Sequence, residues 1–315
     1  VPTSLLKAQS PLLFAESYVV SPQRENRSGI DDERGVINEE TYTMAKPAIK
    51  VYVQHHGNMM CDYRWLLVNA DWMQSKDSPN AQSQWGPCPT HTVVVDHPDG
   101  RLLFDTTCPR DWQQHWENTV AKNWFPYEDV APEQYFEERL KQLKLDPADF
   151  KYVALSHLHL DHAGNIKIFQ NTDAKILVHK KEYQGAISIP GDAQGFHLKK
   201  DYLMDGLRWV QLSGDTEIME GVRLFEAPGH TWGTMCLMVD LPNTGPMIFT
   251  SDAAYMRESY GPPPVGAAIV WSSLDWLNSV ERIRGLASLK DATIIFGHDP
   301  KQIKEIRLAP EAFYD

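Results

Sequence analysis

Residues 156 to 165 read Ser-His-Leu-His-Leu-Asp-His-Ala-Gly-Asn, and this run constrains the chain more than any other. Four side chains able to bind a cation, His157, His159, Asp161 and His162, fall within six residues. The largely apolar stretch 151–155 before them reads as a short buried strand. The Ala163-Gly164-Asn165 after them reads as a sharp turn, because glycine meets no steric penalty at positive φ. The histidines therefore sit where a strand ends and a loop begins, a position that suits chemistry on a rigid scaffold. In an extended segment His157 and His159 point to the same side, so two imidazoles can grip one cation. Asp161 and His162 follow once the chain has begun to turn and can face a second. A chance surface cluster is the competing reading, and the tight spacing and the further ligand types downstream argue against it.

The rest of the chain repeats this arrangement. The pattern predicts strands over 49–54 and 65–69, then a hairpin of 92–96 and 101–104 closed by His97-Pro98-Asp99-Gly100. Its second strand runs into Asp105, a carboxylate placed either to hold a metal-binding histidine from behind or to cap a turn. Residues 108–130 carry Trp112, Trp116, Trp124, Phe125 and Tyr127, which suit a core and could also wall an apolar pocket. A helix is expected over 132–143, with proline at its start and Phe136, Leu140 and Leu143 on one face. After the histidine run come a strand over 175–179, a short helix over 181–186 and a loop-rich insertion over 187–206. Strands follow over 222–226, 235–240 and 247–250. Leu274, Leu277, Val280 and Ile283 then mark an amphipathic helix, and a last strand covers 293–296. Four strand ends run into His157, His230, Asp252 and His298, so one edge of the fold gathers the ligand types.

Composition limits the function classes. The chain has 315 residues, 42% of them hydrophobic, enough for one large domain or two. It contains no run of 18 apolar residues, so no transmembrane helix is expected. A net charge of -12 without a basic cluster disfavours nucleic-acid and anionic-membrane partners. Cys61, Cys88, Cys108 and Cys236 form no zinc-binding or redox pair and read as isolated packed thiols. The first residues, Val-Pro, leave the compartment open between cytoplasmic and exported after signal-peptide removal. Residues 1–48, polar over 21–40, read as an N-terminal arm or cap on the main domain, residues 49–315.

The donor set is thus His157, His159, Asp161, His162, His230, Asp252 and His298. Seven nitrogen and oxygen ligands exceed one tetrahedral zinc and suit two metals, and neutral imidazoles with carboxylates also accept iron, cobalt or manganese. On these residues the chain resembles the metallo-β-lactamase superfamily, with its HxHxDH motif followed by His, Asp and His. Within it the likeness is strongest to the N-acyl-homoserine lactonases and related γ-lactonases, carried by Leu241-Pro242-Asn243-Thr244-Gly245-Pro246, Ser251-Asp252-Ala253-Ala254-Tyr255 and Phe296-Gly297-His298-Asp299. The resemblance covers roughly residues 49–315 and implies an α/β fold, a four-layer αββα sandwich. It implies two divalent metals, zinc foremost: His157, His159 and His230 on one, Asp161, His162 and His298 on the other, Asp252 bridging. It also implies that Tyr255 reaches the carbonyl of a small-molecule lactone, that a metal-bridging hydroxide attacks it, and that Asp161 or a metal-bound water can protonate the leaving alkoxide. A homodimer is compatible with the family. One departure is that Pro228-Gly229-His230 continues as Thr231-Trp232-Gly233-Thr234, where many lactonases have Ser-Pro-Gly-His.

Other readings are weaker. A β-lactamase would often place a cysteine where Asp252 stands. A glyoxalase-II-type thioesterase shares the ligand set but would add a C-terminal helical region, and this chain ends soon after His298, so thioesters are expected to rank second. A nuclease of this family would want basic surface. A di-iron redox protein would carry glutamate at the place of His159 and a flavin domain.

Overall fold

The computed structural model of the chain describes residues 47–315, so the arm expected over 1–48 lies almost wholly outside the described residues. The strands in chain order begin β1 Lys50–Asp62, β2 Trp85–His97, β3 Gly100–Phe104, β4 Phe150–Ala154 and β5 Lys175–His179. Two-residue strands β6 Ala193–Gln194 and β7 His197–Leu198 form a small hairpin, followed by β8 Arg208–Leu212 and β9 Thr216–Met219. The remaining strands are β10 Val222–Glu226, β11 Met235–Leu241, β12 Gly245–Phe249 and β13 Thr293–Ile295. They assemble into a six-stranded sheet ordered β1-β2-β3-β4-β5-β8 and a five-stranded sheet ordered β13-β12-β11-β10-β9.

Alternation along the strands explains the layering. Val93 and Val95 face one way and Val94 the other, as do Leu102 against Leu103 and Val239 against Met238. The first set meets across the two sheets, where Val51, Phe104, Leu237, Phe249 and Ile295 share one core. The outer face of the first sheet packs on helices α1 (Phe136–Gln142) and α2 (Lys180–Ser188) through Phe136, Leu140 and Ala186. The outer face of the second packs on α3 (Ser273–Lys290) through Ile283 and Ala287. Helix, sheet, sheet and helix give the four-layer αββα sandwich expected from the sequence. Among the described residues no helix is long and apolar enough to cross a membrane.

Several local expectations need correction. No strand forms over 65–69; Tyr63–Trp65 is a 3-10 turn capped by Asp62, and β1 is longer than expected because it continues past a register shift between His55 and Asn58. The helix expected over 132–143 is broken at Tyr135, whose ψ of 149° is extended, into a 3-10 turn and α1. β8 and β9 lack clean alternation and were not expected. On α3, Leu274 and Leu277 are 68% and 41% exposed, and the buried face is Trp276, Val280, Ile283 and Ala287. Gly164 does not adopt positive φ. Glycine is needed there for space, since a Cβ would come within 2.5 Å of the Leu160 carbonyl oxygen and 2.7 Å of that of Thr107.

The topology positions the site. β3, β4 and β5 are parallel, so Asp105 and the run from Ser156 leave the same edge of the first sheet. β12 is parallel to β13 and antiparallel to β11, which is antiparallel to β10, so β10, β12 and β13 also end at one edge. His230, Asp252 and His298 emerge there.

Candidate metal centre

The two sheet edges bring all seven donor residues into one buried region, as two clusters: His157, His159, His230 and Asp252, and Asp161, His162 and His298. In the first, His230 Nε2 stands 3.0 Å from His157 Nε2, 3.0 Å from His159 Nδ1 and 3.1 Å from Asp252 Oδ2. In the second, His162 Nε2 lies 3.4 Å from Asp161 Oδ2, and His298 Nε2 lies 3.7 Å from the same oxygen. Asp252 Oδ1 sits 3.3 Å from His162 Nε2 and 3.0 Å from His298 Nε2. The two oxygens of Asp252 thus face different clusters.

The outer ring nitrogens show what the inner ones must be. His230 Nδ1 contacts the Ile269 carbonyl at 3.0 Å and His298 Nδ1 the Pro89 carbonyl at 2.8 Å, so both are N–H donors there. His162 Nδ1 donates to Asp105 Oδ2 at 2.9 Å. Ser156 Oγ donates to Asp105 Oδ2 at 2.8 Å and accepts from His157 Nδ1 at 2.9 Å. With each ring neutral, as a metal ligand must be, His157, His162, His230 and His298 turn an Nε2 lone pair inward. Two lone pairs 3.0 Å apart, on His157 and His230, repel unless a cation lies between them. Among the described residues, His162 Nε2 and Asp252 Oδ1 are buried without a hydrogen-bond partner. Ligands of a tetrahedral zinc at about 2.0–2.1 Å stand roughly 3.3 Å apart, close to the spacings here. The residues fit two divalent cations, each imidazole being oriented from behind by a partner that fixes its tautomer.

The electrostatics divide the clusters. Burial, then the neighbouring imidazoles, pushes His157 and His159 well below the usual histidine range, which keeps them neutral. Burial also opposes charge on His162, but Asp161, Asp252 and Asp105 around it raise it well above. Burial disfavours the charged Asp252 carboxylate too, yet His162, His298 and His230 hold it well below its ordinary value.

Local sequence explains the precision. His230 follows Gly229, whose φ is +131° and whose Cβ would come within 2.1 Å of the Trp276 backbone nitrogen. Asp105 has φ +64°, and its Oδ1 accepts from the Ser156 N–H at 2.7 Å. Of the two roles open to Asp105, the structure selects support of a donor histidine. Tyr255 is buried, and its hydroxyl lies 2.6 Å from His230 Nδ1 and donates to the Ile269 carbonyl at 3.0 Å. It lines the same small recess as Asp161, Asp252 and His298. Burial, then the charges of Asp252 and Asp161, pushes its hydroxyl well above the usual tyrosine range, so it stays protonated.

A cavity of about 630 Å³ opens beside His159 and His230. Its aromatic walls are Trp65, Phe196, Trp232 and Trp271. The tryptophans singled out in the sequence mostly do other work: Trp112 and Trp116 are core, and Trp124 stacks on Trp65 at 4.7 Å. The insertion 187–206 supplies Phe196 and His197, which pattern reasoning left as loop. Glu182 and Ser156, which support the clusters, were also missed; Ser156 stands inside the motif run, and Glu182 gave no signal. The four cysteines are buried and unpaired, as expected.

Comparison with known proteins follows the same line. A model of the metallo-β-lactamase superfamily matches residues 85–298. The N-acyl homoserine lactonase AttM of Rhizobium radiobacter is 32% identical over 279 residues, which are 84% of this chain and 98% of that protein. An N-acyl homoserine lactonase of Bacillus thuringiensis is 28% identical over 230 residues, 71% of this chain and 86% of the relative. A solved N-acyl homoserine lactone hydrolase with the product N-hexanoyl-L-homoserine bound at its catalytic metal centre superposes with a TM-score of 0.72 at 26% identity. The match covers 84% of this chain and 98% of that one.

Proposed function

The chain belongs to the metallo-β-lactamase superfamily, and from that membership and its donor set we propose a dinuclear, metal-dependent lactonase that opens N-acyl-homoserine lactones. The observation that carries the reading is Asp252, whose two oxygens face two separate clusters of inward lone pairs. Zinc is the metal best suited to three imidazoles and a carboxylate. Bound divalent cations supply Lewis-acid polarisation of a carbonyl and a lowered pKa for water.

The chain's own residues do the rest. His157, His159 and His230 would hold one cation and Asp161, His162 and His298 the other, with Asp252 between them. Burial opposes charge on Asp161, but His162 beside it keeps the carboxyl below its ordinary value, so it is an acceptor at neutral pH. Its oxygen takes the proton that the attacking water gives up and returns it to the ring oxygen as the C–O bond breaks. The Tyr255 hydroxyl, protonated throughout, donates to the developing oxyanion by exchanging the Ile269 carbonyl for it. The aromatic cavity takes the acyl chain.

The test is a substrate panel with the metal-loaded protein: short and long acyl-homoserine lactones, a plain γ-lactone, a glutathione thioester and a cephalosporin. Lactones should be turned over best. A thioester preferred by about tenfold or more, a difference of about 1.4 kcal/mol, would move the protein to the thioesterase class.

A further inference from the structure

One buried hydrogen-bonded pair has no part in the chemistry above. Glu182, on α2, is fully buried. Its Oε1 accepts from the Leu158 N–H at 3.0 Å and from His197 Nε2 at 3.3 Å, and its Oε2 accepts from the Gly233 N–H at 3.1 Å. An ionised carboxylate only accepts, so His197 carries a proton on Nε2, and in the Nε2–H tautomer its Nδ1 is an acceptor. The Glu182 contact is the hydrogen bond this ring makes among the described residues.

His197 lines the large cavity. Its ring centroid is 4.4 Å from that of His159 and 5.1 Å from Trp232, so it stands where the apolar chamber meets the first donor cluster. The two hydroxyls on the wall are already committed. Ser188 Oγ donates to the Gln184 carbonyl, and the Thr231 hydroxyl pairs with that of Thr234. Gln194 is exposed. An apolar chamber with an imidazole acceptor beside the donor cluster suits a ligand that is apolar along its length and carries a donor beside the reacting ring.

We propose that His197 Nδ1 accepts a hydrogen bond from an N–H next to the lactone ring, so that the Glu182–His197 pair selects α-amido lactones over plain ones. Glu182 is the positioning residue, fixing the tautomer and the ring, and His197 is the group that touches substrate. This assignment rests on the lactonase reading and names the feature of the substrate that is recognised.

The test uses a matched pair: N-hexanoyl-homoserine lactone and its analogue with CH2 in place of the amide N–H. The metal-loaded wild type should prefer the amide, and His197→Phe should lower kcat/KM for it by about tenfold, mainly through KM, while the analogue changes little. His197→Asn, which puts an amide oxygen near the place of Nδ1, should recover most of the preference. Elemental analysis should find the same metal content in all three proteins. As a readout apart from turnover, calorimetry on the wild type should show tighter binding of the amide-bearing non-hydrolysable lactam than of its CH2 analogue. Equal losses on both substrates, an unchanged ratio, or equal lactam affinities would overturn the proposal. If the wild type opens neither lactone, the lactonase reading itself fails; if it opens both without preference, only this assignment fails.

Discussion

Replacing Asp105 by asparagine tests whether the donor histidines are set from behind. The carboxylate accepts three hydrogen bonds: from Ser156 N–H at 2.7 Å, from Ser156 Oγ at 2.8 Å and from His162 Nδ1 at 2.9 Å. Asparagine keeps the shape but turns one acceptor into a donor. If the new NH2 faces His162, two donors meet, and the ring must either lose the bond or move its proton to Nε2, the nitrogen aimed at Asp161 and Asp252. If the amide flips, the NH2 meets the Ser156 N–H instead. Either way a buried donor is left unsatisfied, which costs about 1–3 kcal/mol. Loss of such a support typically weakens metal affinity by about 10–100-fold, the same range expressed as binding. The assay is chelator titration with the remaining metal per chain measured by elemental analysis. We expect one of two metals to leave at about 10–100-fold lower free chelator strength, while the metal at His157, His159 and His230 stays longer. Wild-type retention of both metals would refute the reasoning.

Further outcomes follow from the same geometry. Asp252→Ala removes an oxygen from both clusters, so metal content and activity should fall together; two metals with normal activity would exclude a bridging role. Tyr255→Phe should lower kcat with metal content intact, by somewhat less than the about 2.7–4 kcal/mol seen where an oxyanion donor is lost; unchanged kinetics would leave the hydroxyl as a prop for His230 and Ile269. Burial holds His56 neutral with its pKa lowered to about 3, so its contribution is complete above the ordinary 6.5 and is lost as pH falls from there toward 3. Unfolding free energy from urea titration should therefore be about 1.4 kcal/mol lower per histidine at about pH 5.5 than at neutral pH, and His56→Leu should lack that part. A pH difference equal in the two proteins would remove His56 as its source.

The parts of this molecule that local chemistry decides were readable from the chain. Histidines two apart at a strand end, and His230, Asp252 and His298 at later strand ends, carry their own spacing, and all seven donors lie together. Short apolar runs bounded by turn residues, such as β10 between Gly221 and Ala227-Pro228, were placed to the residue. What sequence left open depends on distant partners. Whether Asp105 supports a histidine or caps a turn is settled by His162, 57 residues away. Leu274 and Leu277 follow helical spacing like Val280 and Ile283, and only the position of the second sheet decides which are covered. Glu182 looks like any surface residue of a short helix until Leu158, His197 and Gly233 close over it.

The large cavity is walled mostly by segments that carry no donor. Ile189, Pro190, Gln194 and Phe196 come from the insertion between α2 and β8, and Ile269, Val270 and Trp271 from the stretch before α3. The hairpin tip around Ala193, Gln194 and Gly195 is exposed on the surface. Loops of this kind tolerate exchange and changes of length at small cost to the scaffold. Selection can therefore rework the choice of side chain on the lactone while the reaction stays fixed. A library randomised at Gln194 and Trp271 should yield folded, metal-replete proteins that differ in acyl preference.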